Sequence, residues 1–466
     1  MITVMSGRRF NTRAIGLSFS ETAIIYGTFL LALYLRLGVE GAFYELDERN
    51  AWAKILVATL TCVAALYLYD LYSFIVVNDL RELVFRLLQA LGTAWAALAF
   101  LFYFAPDLMI GRGVTIVSVP LVLVSLLLWR FLVHYLTAHP EIGERILIVG
   151  SGEAAIDTAK ATQAQRAAGY RVVGFVSDEP ELVGKSLYNP KVIGLIDDLA
   201  EIVKREKIDR IVVAIRDRRG KFPTSQLLKL SLSGDVAIEE FTSFHERLSG
   251  ELHLDMLRPS WLIFAGRSRE TTLRWIIREA AHRGLALIGL ILSLPIAIVT
   301  AILIKLESRG AVLYKQERVG KNGRTFKVIK FRSMRSDAEK NGPVWAQKND
   351  DRTTRVGKFI RTVRIDEIPQ FWNILKGEMS FVGPRPERPH FVSQLALEIP
   401  FFEQRHLVAP GLTGWAQVKY PYGASVEDAK RKLQYDLYYI KNQSLALDLI
   451  IVFETVKTVL FKRGAR

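Results

Sequence analysis

Apolar residues in this chain gather into long unbroken runs separated by charged connections. Four runs come first, at about Leu17 to Leu35, Ile55 to Tyr69, Leu87 to Phe104 and Val114 to Trp129. Each approaches the ~17 to 25 residues that a helix needs to span a bilayer, once its aromatic and polar fringes are counted. They predict a four-helix transmembrane region over residues 1–140, with Glu21 an acid inside the first run. Arg8, Arg9 and Arg13 precede that run and no small-residue cleavage site accompanies it, so it reads as an uncleaved membrane helix. The first connection holds Glu40, Glu45, Asp47 and Glu48, and the second Arg81 and Arg86. Positive-inside counting puts the N-terminus in the cytoplasm, and an even number of spans returns the chain there.

After Trp129 the pattern changes to short apolar strands alternating with amphipathic stretches. Arg145 to Gly150, Arg171 to Val176 and Arg210 to Ile215 read as strands, with helices to about Arg166, over Asp197 to Glu206 and over Ser225 to Leu232. Alternation of this kind predicts a parallel, Rossmann-like α/β module over residues 143–250. Its first turn reads G-x-G-x-x-A from Gly150 and Gly152 to Ala155, and Asp178 follows the second strand. That fingerprint could admit a dinucleotide pyrophosphate at the helix N-terminus. Ala155 replaces the last glycine, however, and no Tyr-x-x-x-Lys pair follows, so a ligand-free or regulatory module is the expectation and NAD the alternative.

A linker over 251–280 leads to a fifth run, Gly284 to Ile304, uncharged and flanked by Arg283 and Lys305. Ser293 and Pro295 lie near its middle, and a proline inside a helix removes a hydrogen bond and favours a kink. If this run crossed the bilayer, everything after it would lie outside; a bent, re-entrant helix over 281–305 keeps both ends on the cytoplasmic side. A last amphipathic stretch, Leu445 to Leu460, carries Asp448, Glu454 and Lys457 among apolar residues and ends in Phe461-Lys462-Arg463. It fits a helix lying in the membrane interface, and equally one packed on its own domain. Tyr435, Tyr438 and Tyr439 allow the same two readings.

Composition sharpens this picture. Of 466 residues 50% are hydrophobic, mean hydropathy is +0.19, and the net charge is +15 with a pI near 9.7. Basic balance alone would suggest nucleic acid; beside membrane runs, anionic lipid headgroups and phosphate substrates explain it better, and no nucleic-acid partner is expected. Cys62 is the single cysteine and the seven histidines show no metal-ligand spacing, which excludes an intrachain disulfide and a cysteine-based zinc site.

The densest chemistry lies between Arg361 and Glu387. Asp366 and Glu367 adjoin each other two residues before Pro369, and a Gly383-Pro384-Arg385-Pro386-Glu387 turn follows. Two neighbouring carboxylates repel, so keeping both ionised favours a cation such as Mg²⁺ or arginine partners. Arg361, Arg364 and Arg385 are at hand, and upstream the strand-like Lys327 to Met334 ends in Lys330 and Arg332. Paired acids, cations and glycine turns are the parts that phosphoryl transfer uses.

These residues carry a resemblance. Tyr314-Lys315-Gln316-Glu317-Arg318-Val319-Gly320, Lys330-Phe331-Arg332-Ser333-Met334, Asp366-Glu367-Ile368-Pro369-Gln370, Val382-Gly383-Pro384-Arg385-Pro386-Glu387 and Pro410-Gly411-Leu412-Thr413-Gly414-Trp415 stand in order. Together they make residues 306–466 resemble the catalytic domain of the bacterial sugar transferases, monotopic polyprenyl-phosphate hexose-1-phosphate transferases. The resemblance implies a small α/β domain at the cytoplasmic face of the inner membrane, its re-entrant helix broken at Ser293 and Pro295. It implies transfer of a sugar 1-phosphate from a UDP-hexose to undecaprenyl phosphate, with release of UMP. Asp366 would be the nucleophile, Asp366 and Glu367 would hold Mg²⁺, and Arg385, Lys330, Arg332 and Arg361 would bind phosphate. Larger members carry an α/β module before the catalytic domain, for which a homodimer is reasonable. The segment from Tyr420 to Arg466 further resembles an exopolysaccharide-associated subgroup. Arg364 stands where many members have a small polar residue, which leaves its role open, and Ile368 stands where leucine is usual. The rival readings are a membrane-anchored nucleotide-sugar dehydratase or epimerase, and a non-enzymatic scaffold of polysaccharide assembly.

Overall fold

The computed structural model describes residues 12–72, 80–137, 144–164, 170–215, 223–234, 236–254, 272–335, 352–420, 423 and 425–460. Arg8, Arg9, most of the expected linker and the basic end Lys462-Arg463 fall outside that set. The chain divides into two compact units, Met1–Leu248 and Ser249–Arg466. Five helices, one from each apolar run, are long and apolar enough to cross a membrane.

Four of these helices open the first unit: α1 (Thr12–Asp47), α2 (Ala51–Leu68), α3 (Leu80–Phe104) and α4 (Arg112–Thr137). The apolar runs thus form helices, longer than their apolar cores. The acidic stretch expected as a loop after Leu35 is helical beyond a kink: α1 breaks at Gly38 (φ 70°), and a second helical segment runs on to Asp47. Only glycine takes that conformation freely, so it joins the two segments. The bundle core is built from Ile25, Phe29, Leu33, Ile55, Leu66, Leu87 and Leu126, all fully buried. Glu21 is explained by Arg130: two nitrogens of the Arg130 guanidinium meet the two Glu21 oxygens at 2.7 and 2.9 Å, and a third donates to Leu71 O. Inside an apolar bundle a lone charge is costly and a fork-to-carboxylate pair is the remedy. Because Glu21 lies near the start of α1 and Arg130 near the end of α4, the bundle begins and ends at the same side, as an even number of spans requires.

The α/β module is a five-stranded parallel sheet in the order β3-β2-β1-β4-β5. Its strands are β1 (Glu144–Val149), β2 (Tyr170–Ser177), β3 (Val192–Leu195), β4 (Arg210–Val213) and β5 (Ala237–Glu240). The helices α5 (Glu153–Ala164), α6 (Leu199–Arg205), α7 (Thr224–Ser233) and α8 (Phe241–Ser249) complete it. Strands β3 and β5 and helix α8 are additions to the sequence reading. Gly150 follows β1 with φ 130°, and a Cβ there would press on the Ala214 carbonyl oxygen, so its need for glycine is met by packing without any ligand.

In the second unit, α9 (Thr272–Glu307) runs as one helix through Ser293 and Pro295. It is followed by the antiparallel hairpin β6 (Leu313–Val319) and β7 (Thr325–Phe331), α10 (Arg355–Thr362), a 3₁₀ turn Ile365–Glu367 and α11 (Gln370–Leu375). Strand β8 (Ser380–Val382) leads to α12 (Pro389–Glu398), and β9 (Gly411–Thr413) pairs with β8 in parallel. Helices α13 (Trp415–Lys419), α14 (Val426–Lys441) and α15 (Leu445–Leu460) close the unit. A capping box between Ser425 and Asp428 starts α14. The described beginning of the expected linker is packed, not loose: Leu252 and Leu254 join the core of Val319, Leu395, Phe402 and Leu433. Of the tyrosines left open by the sequence, Tyr439 is core at 2% exposure and Tyr438 stacks on Trp415. Helix α15 packs Leu447 and Ile451 inward and leaves Leu449, Phe453, Val456 and Val459 exposed on its other face.

Candidate active site

The paired acids are positioned by an unusual turn. Arg364 takes a left-handed conformation (φ 61°) just before the 3₁₀ turn, a backbone state that costs a non-glycine residue about 1–2 kcal/mol. The chain accepts that strain where it presents Asp366 and Glu367, both buried, at 7% and 8% exposure. Strand β7 brings Lys330 to them: its ammonium lies 2.8 Å from Glu367 Oε1 and 4.0 Å from Asp366 Oδ2. Asn373, fully buried on α11, fixes that approach. Its Oδ1 accepts from Ile329 N, and its Nδ2 donates to Lys327 O and Glu378 Oε2, which ties α11 to the strand just before Lys330.

Arg385 arrives from the glycine-proline loop. Strand β8 ends at Val382, and Gly383 packs so closely on β9 that a Cβ at Gly411 would collide with the Gly383 backbone. From this crossing the loop aims Arg385 Nη2 at Glu367 Oε1, 2.9 Å away, while Arg364 Nη1 lies 3.8 Å from Oε2. Glu367 is therefore ringed by three cations. Burial opposes its charge, but Lys330, Arg385 and Arg364 overcome that and hold its carboxyl well below the usual carboxylate range. Asp366 differs. Burial pushes its carboxyl up, Lys330 pulls it down, and the Glu367 charge pushes it up again; Arg385 and Arg361 only moderate the result. Arg361, on the last turn of α10, thus acts on Asp366 through its charge.

Arg332, expected in the phosphate wall, is engaged at the end of α9. Its guanidinium donates to Ser308 O, Ser308 Oγ and Arg309 O, the carbonyl end of α9. A cation there satisfies orphan carbonyls and favours the helix dipole. Arg332→Ala is expected to cost about 2–3 kcal/mol of stability and to leave donor KM within about twofold, read by unfolding and steady-state titration.

The ionisation of Asp366 gives a second expectation. If Asp366 reacts as a carboxylate, turnover falls as pH drops through its pKa, which lies above the ordinary aspartate value. Lys330→Met removes the largest influence that lowers it, so the acid limb of kcat/KM should move to higher pH; a limb that stays put would exclude Asp366 as the titrating group.

Two further groups had no signal in the sequence. Arg405 donates to Asp436 Oδ2 at 2.8 Å and to the Arg385 carbonyl at 3.1 Å, anchoring the loop to α14. His282, on α9, meets Ser380 Oγ through Nδ1 and lies 3.2 Å from Asp448 Oδ2 through Nε2, which joins α9 to β8 and α15. At the other end of α9, Glu307 accepts the backbone N–H groups of Arg355 and Val356.

Asp366 and Glu367 suit a cation only in part. Among the described residues no group of three His, Cys, Asp or Glu side chains could hold a metal ion. Glu367 Oε1 already receives two cations, whereas among the described residues no side chain donates to the oxygens of Asp366 in the way Lys330 donates to Glu367. Such a pair fits Mg²⁺ arriving with phosphate oxygens, since that ion is commonly held by one or two carboxylates plus substrate.

The family described as "Bacterial sugar transferase" matches residues 273–462, the span that holds α9 and every residue of the site. A protein of Xanthomonas campestris named UDP-glucose:undecaprenyl-phosphate glucose-1-phosphate transferase is 31% identical over 363 residues, 74% of this chain and 72% of its own length. The chain belongs to the bacterial sugar transferase family. Another of these sugar transferases, the UDP-N-acetylgalactosamine-undecaprenyl-phosphate N-acetylgalactosaminephosphotransferase of Aeromonas hydrophila, is 42% identical over 260 residues. That match spans 56% of this chain and 61% of the relative. A putative undecaprenyl-phosphate N-acetylgalactosaminyl 1-phosphate transferase of Bacillus subtilis is 56% identical over 137 residues, 29% of this chain and 76% of that one. A second family, described as "CoA-binding domain", matches residues 68–221, which include four of the five strands of the α/β module.

Proposed function

We propose that this sugar transferase moves a hexose 1-phosphate from a UDP-hexose to undecaprenyl phosphate, releasing UMP and starting a repeat unit of exopolysaccharide, capsule or O-antigen. The observation that carries the reading is the asymmetry of the two acids. Glu367 is neutralised by three cations, while its neighbour Asp366 is approached by Lys330 at 4.0 Å and accepts no hydrogen bond from a side chain among the described residues. An Asp366 oxygen attacks the β-phosphorus of the donor. The bridging P–O bond breaks, its electron pair leaves on UMP, and a phosphosugar ester of Asp366 remains. An oxygen of the lipid phosphate then attacks the same phosphorus, giving the sugar diphospholipid and restoring the carboxylate. Lys330 and Arg385 offset the charge that gathers on the phosphoryl oxygens in both steps. Mg²⁺ held by Asp366 and Glu367 would neutralise donor oxygens and favour departure of UMP.

Placement at the cytoplasmic face of the inner membrane is part of the same proposal, and α9 supports it. Near its start, His282 and Ala286 touch Ser380, Val328 and Ile374; near its end, Ile304 packs on Phe331 and Ile360. The outward face between them, with Leu287, Ile291, Leu292, Leu294 and Ile298, is exposed and apolar. One polar domain thus follows the helix over most of its length. A plain span would draw that domain into the hydrocarbon core, where unsatisfied polar groups are costly. A shallow, re-entrant insertion keeps domain and α9 ends on one side, and the apolar stripe of α15 would rest on the same surface.

The test is UMP release from a panel of UDP-hexoses by full-length protein in nanodiscs with Mg²⁺ and undecaprenyl phosphate. Lipid-dependent UMP supports the reading and names the sugar. UDP release would replace it with ordinary glycosyl transfer.

A further inference from the structure

Strand β8 launches the Arg385 loop from very little sheet. It is three residues long, and among the described residues it pairs only with β9. Two strands by themselves are marginal, so the aim of the loop depends on what else holds β8. The pairing with β9 runs on into the loop: Ser380 N donates to Pro410 O at 2.8 Å, Gly383 N to Thr413 O at 2.9 Å, and Gly411 N to Pro384 O at 2.9 Å. Pro384 precedes Arg385 directly, so a shift of β8 is delivered to the Arg385 backbone.

Two side chains tie the ends of β8 to one buried carboxylate. At the start of the strand, His282 Nδ1 shares a hydrogen bond with Ser380 Oγ, and its Nε2 lies 3.2 Å from Asp448 Oδ2. At the strand's end, the Tyr439 hydroxyl stands 3.1 Å from Val382 O and 2.8 Å from Asp448 Oδ1. Arg278, one turn before His282 on α9, brings its Nε within 4.0 Å of Asp448 Oδ2. His282, Tyr439 and Asp448 are each 2% exposed. Asp448 itself sits in the first turn of α15, where the helix dipole favours an acid. Each oxygen of this carboxylate thus leads to a different end of β8.

Buried polar groups keep to their partners, because an unpaired one away from water is costly. Through Asp448, helices α9, α14 and α15 converge on a strand of three residues. Resting on the transfer reading, in which Arg385 meets the phosphoryl group, we infer that Asp448, acting through His282 and Tyr439, is a positioning residue for Arg385. An error of about 1 Å at a reacting group can cost about a hundredfold in rate, so the network that fixes β8 is felt in catalysis.

The experiment is a double-mutant cycle on full-length protein in nanodiscs, with UMP release as the assay. Tyr439→Phe keeps the buried ring and removes only the hydroxyl, and Asp448→Asn keeps the shape and removes the charge. Each should lower kcat/KM about tenfold in the wild-type background and less than about twofold in Arg385→Ala, where the group to be placed is absent. About the same loss in both backgrounds would show a structural role that bypasses Arg385 and would overturn the inference, as would no loss in either. If neither variant folds, His282→Asn, which keeps a polar atom beside Ser380 and gives up the contact with Asp448, goes through the same cycle with the same expectation. UDP in place of UMP from wild type, or Arg385→Ala as active as wild type, would instead overturn the transfer reading and the inference with it.

Discussion

Asp366→Asn is expected to release UMP at least about a thousandfold more slowly than wild type, with an unchanged unfolding midpoint. The amide has nearly the same shape, and Lys330 stays paired with Glu367 at 2.8 Å, so the variant removes the proposed nucleophile and little structure. Glu367→Gln should behave differently. It takes a counter-charge shared by Lys330, Arg385 and Arg364, so like charges are left together and the site should open. A loss of stability in Glu367→Gln but not in Asp366→Asn would separate the organising acid from the reacting one.

Arg385→Ala is expected to lower kcat/KM by about 10² to 10³, the scale of removing one oriented charge from a transferring phosphoryl group. Arg385→Lys should recover only part of that, because an ammonium cannot bridge Glu367 and a phosphate oxygen with one fixed fork. The loop itself should persist, since Arg405 holds the main-chain oxygen of residue 385 and Tyr439 OH lies 3.1 Å from Val382 O. Steady-state kinetics on both variants, each compared with Glu367→Gln in a double-mutant cycle, measures how much of the effect passes through the Arg385–Glu367 pair.

Apolar runs and alternation carried the helices and the central strands because burial leaves a period in the sequence. Strand β3, Val-Ile-Gly-Leu, and strand β5, Ala-Ile-Glu-Glu, are four residues each, too short and too mixed for that signal. The charges after Leu35 read as a loop, whereas the chain only kinks at Gly38 and a second helical segment carries them. Within the site, Asp366, Glu367, Lys330 and Arg385 were legible as charges in linked motifs. Arg332 was not: spaced two from Lys330, it would share a strand face, but β7 ends at Phe331 and the side chain turns to the end of α9. Asn373, His282, Arg405 and Asp436 each have a partner 31 or more residues away. Such pairings arise only when the chain is folded, so no local pattern announces them.

The most direct test of the central claim is a single-turnover quench of wild type with its UDP-hexose before any lipid acceptor is added. The account predicts a burst of UMP of about one equivalent and a hexose-phosphate mass on the peptide that carries Asp366. UMP that appears only when undecaprenyl phosphate is present, with no adduct on that peptide, would contradict it and point to direct transfer between donor and lipid.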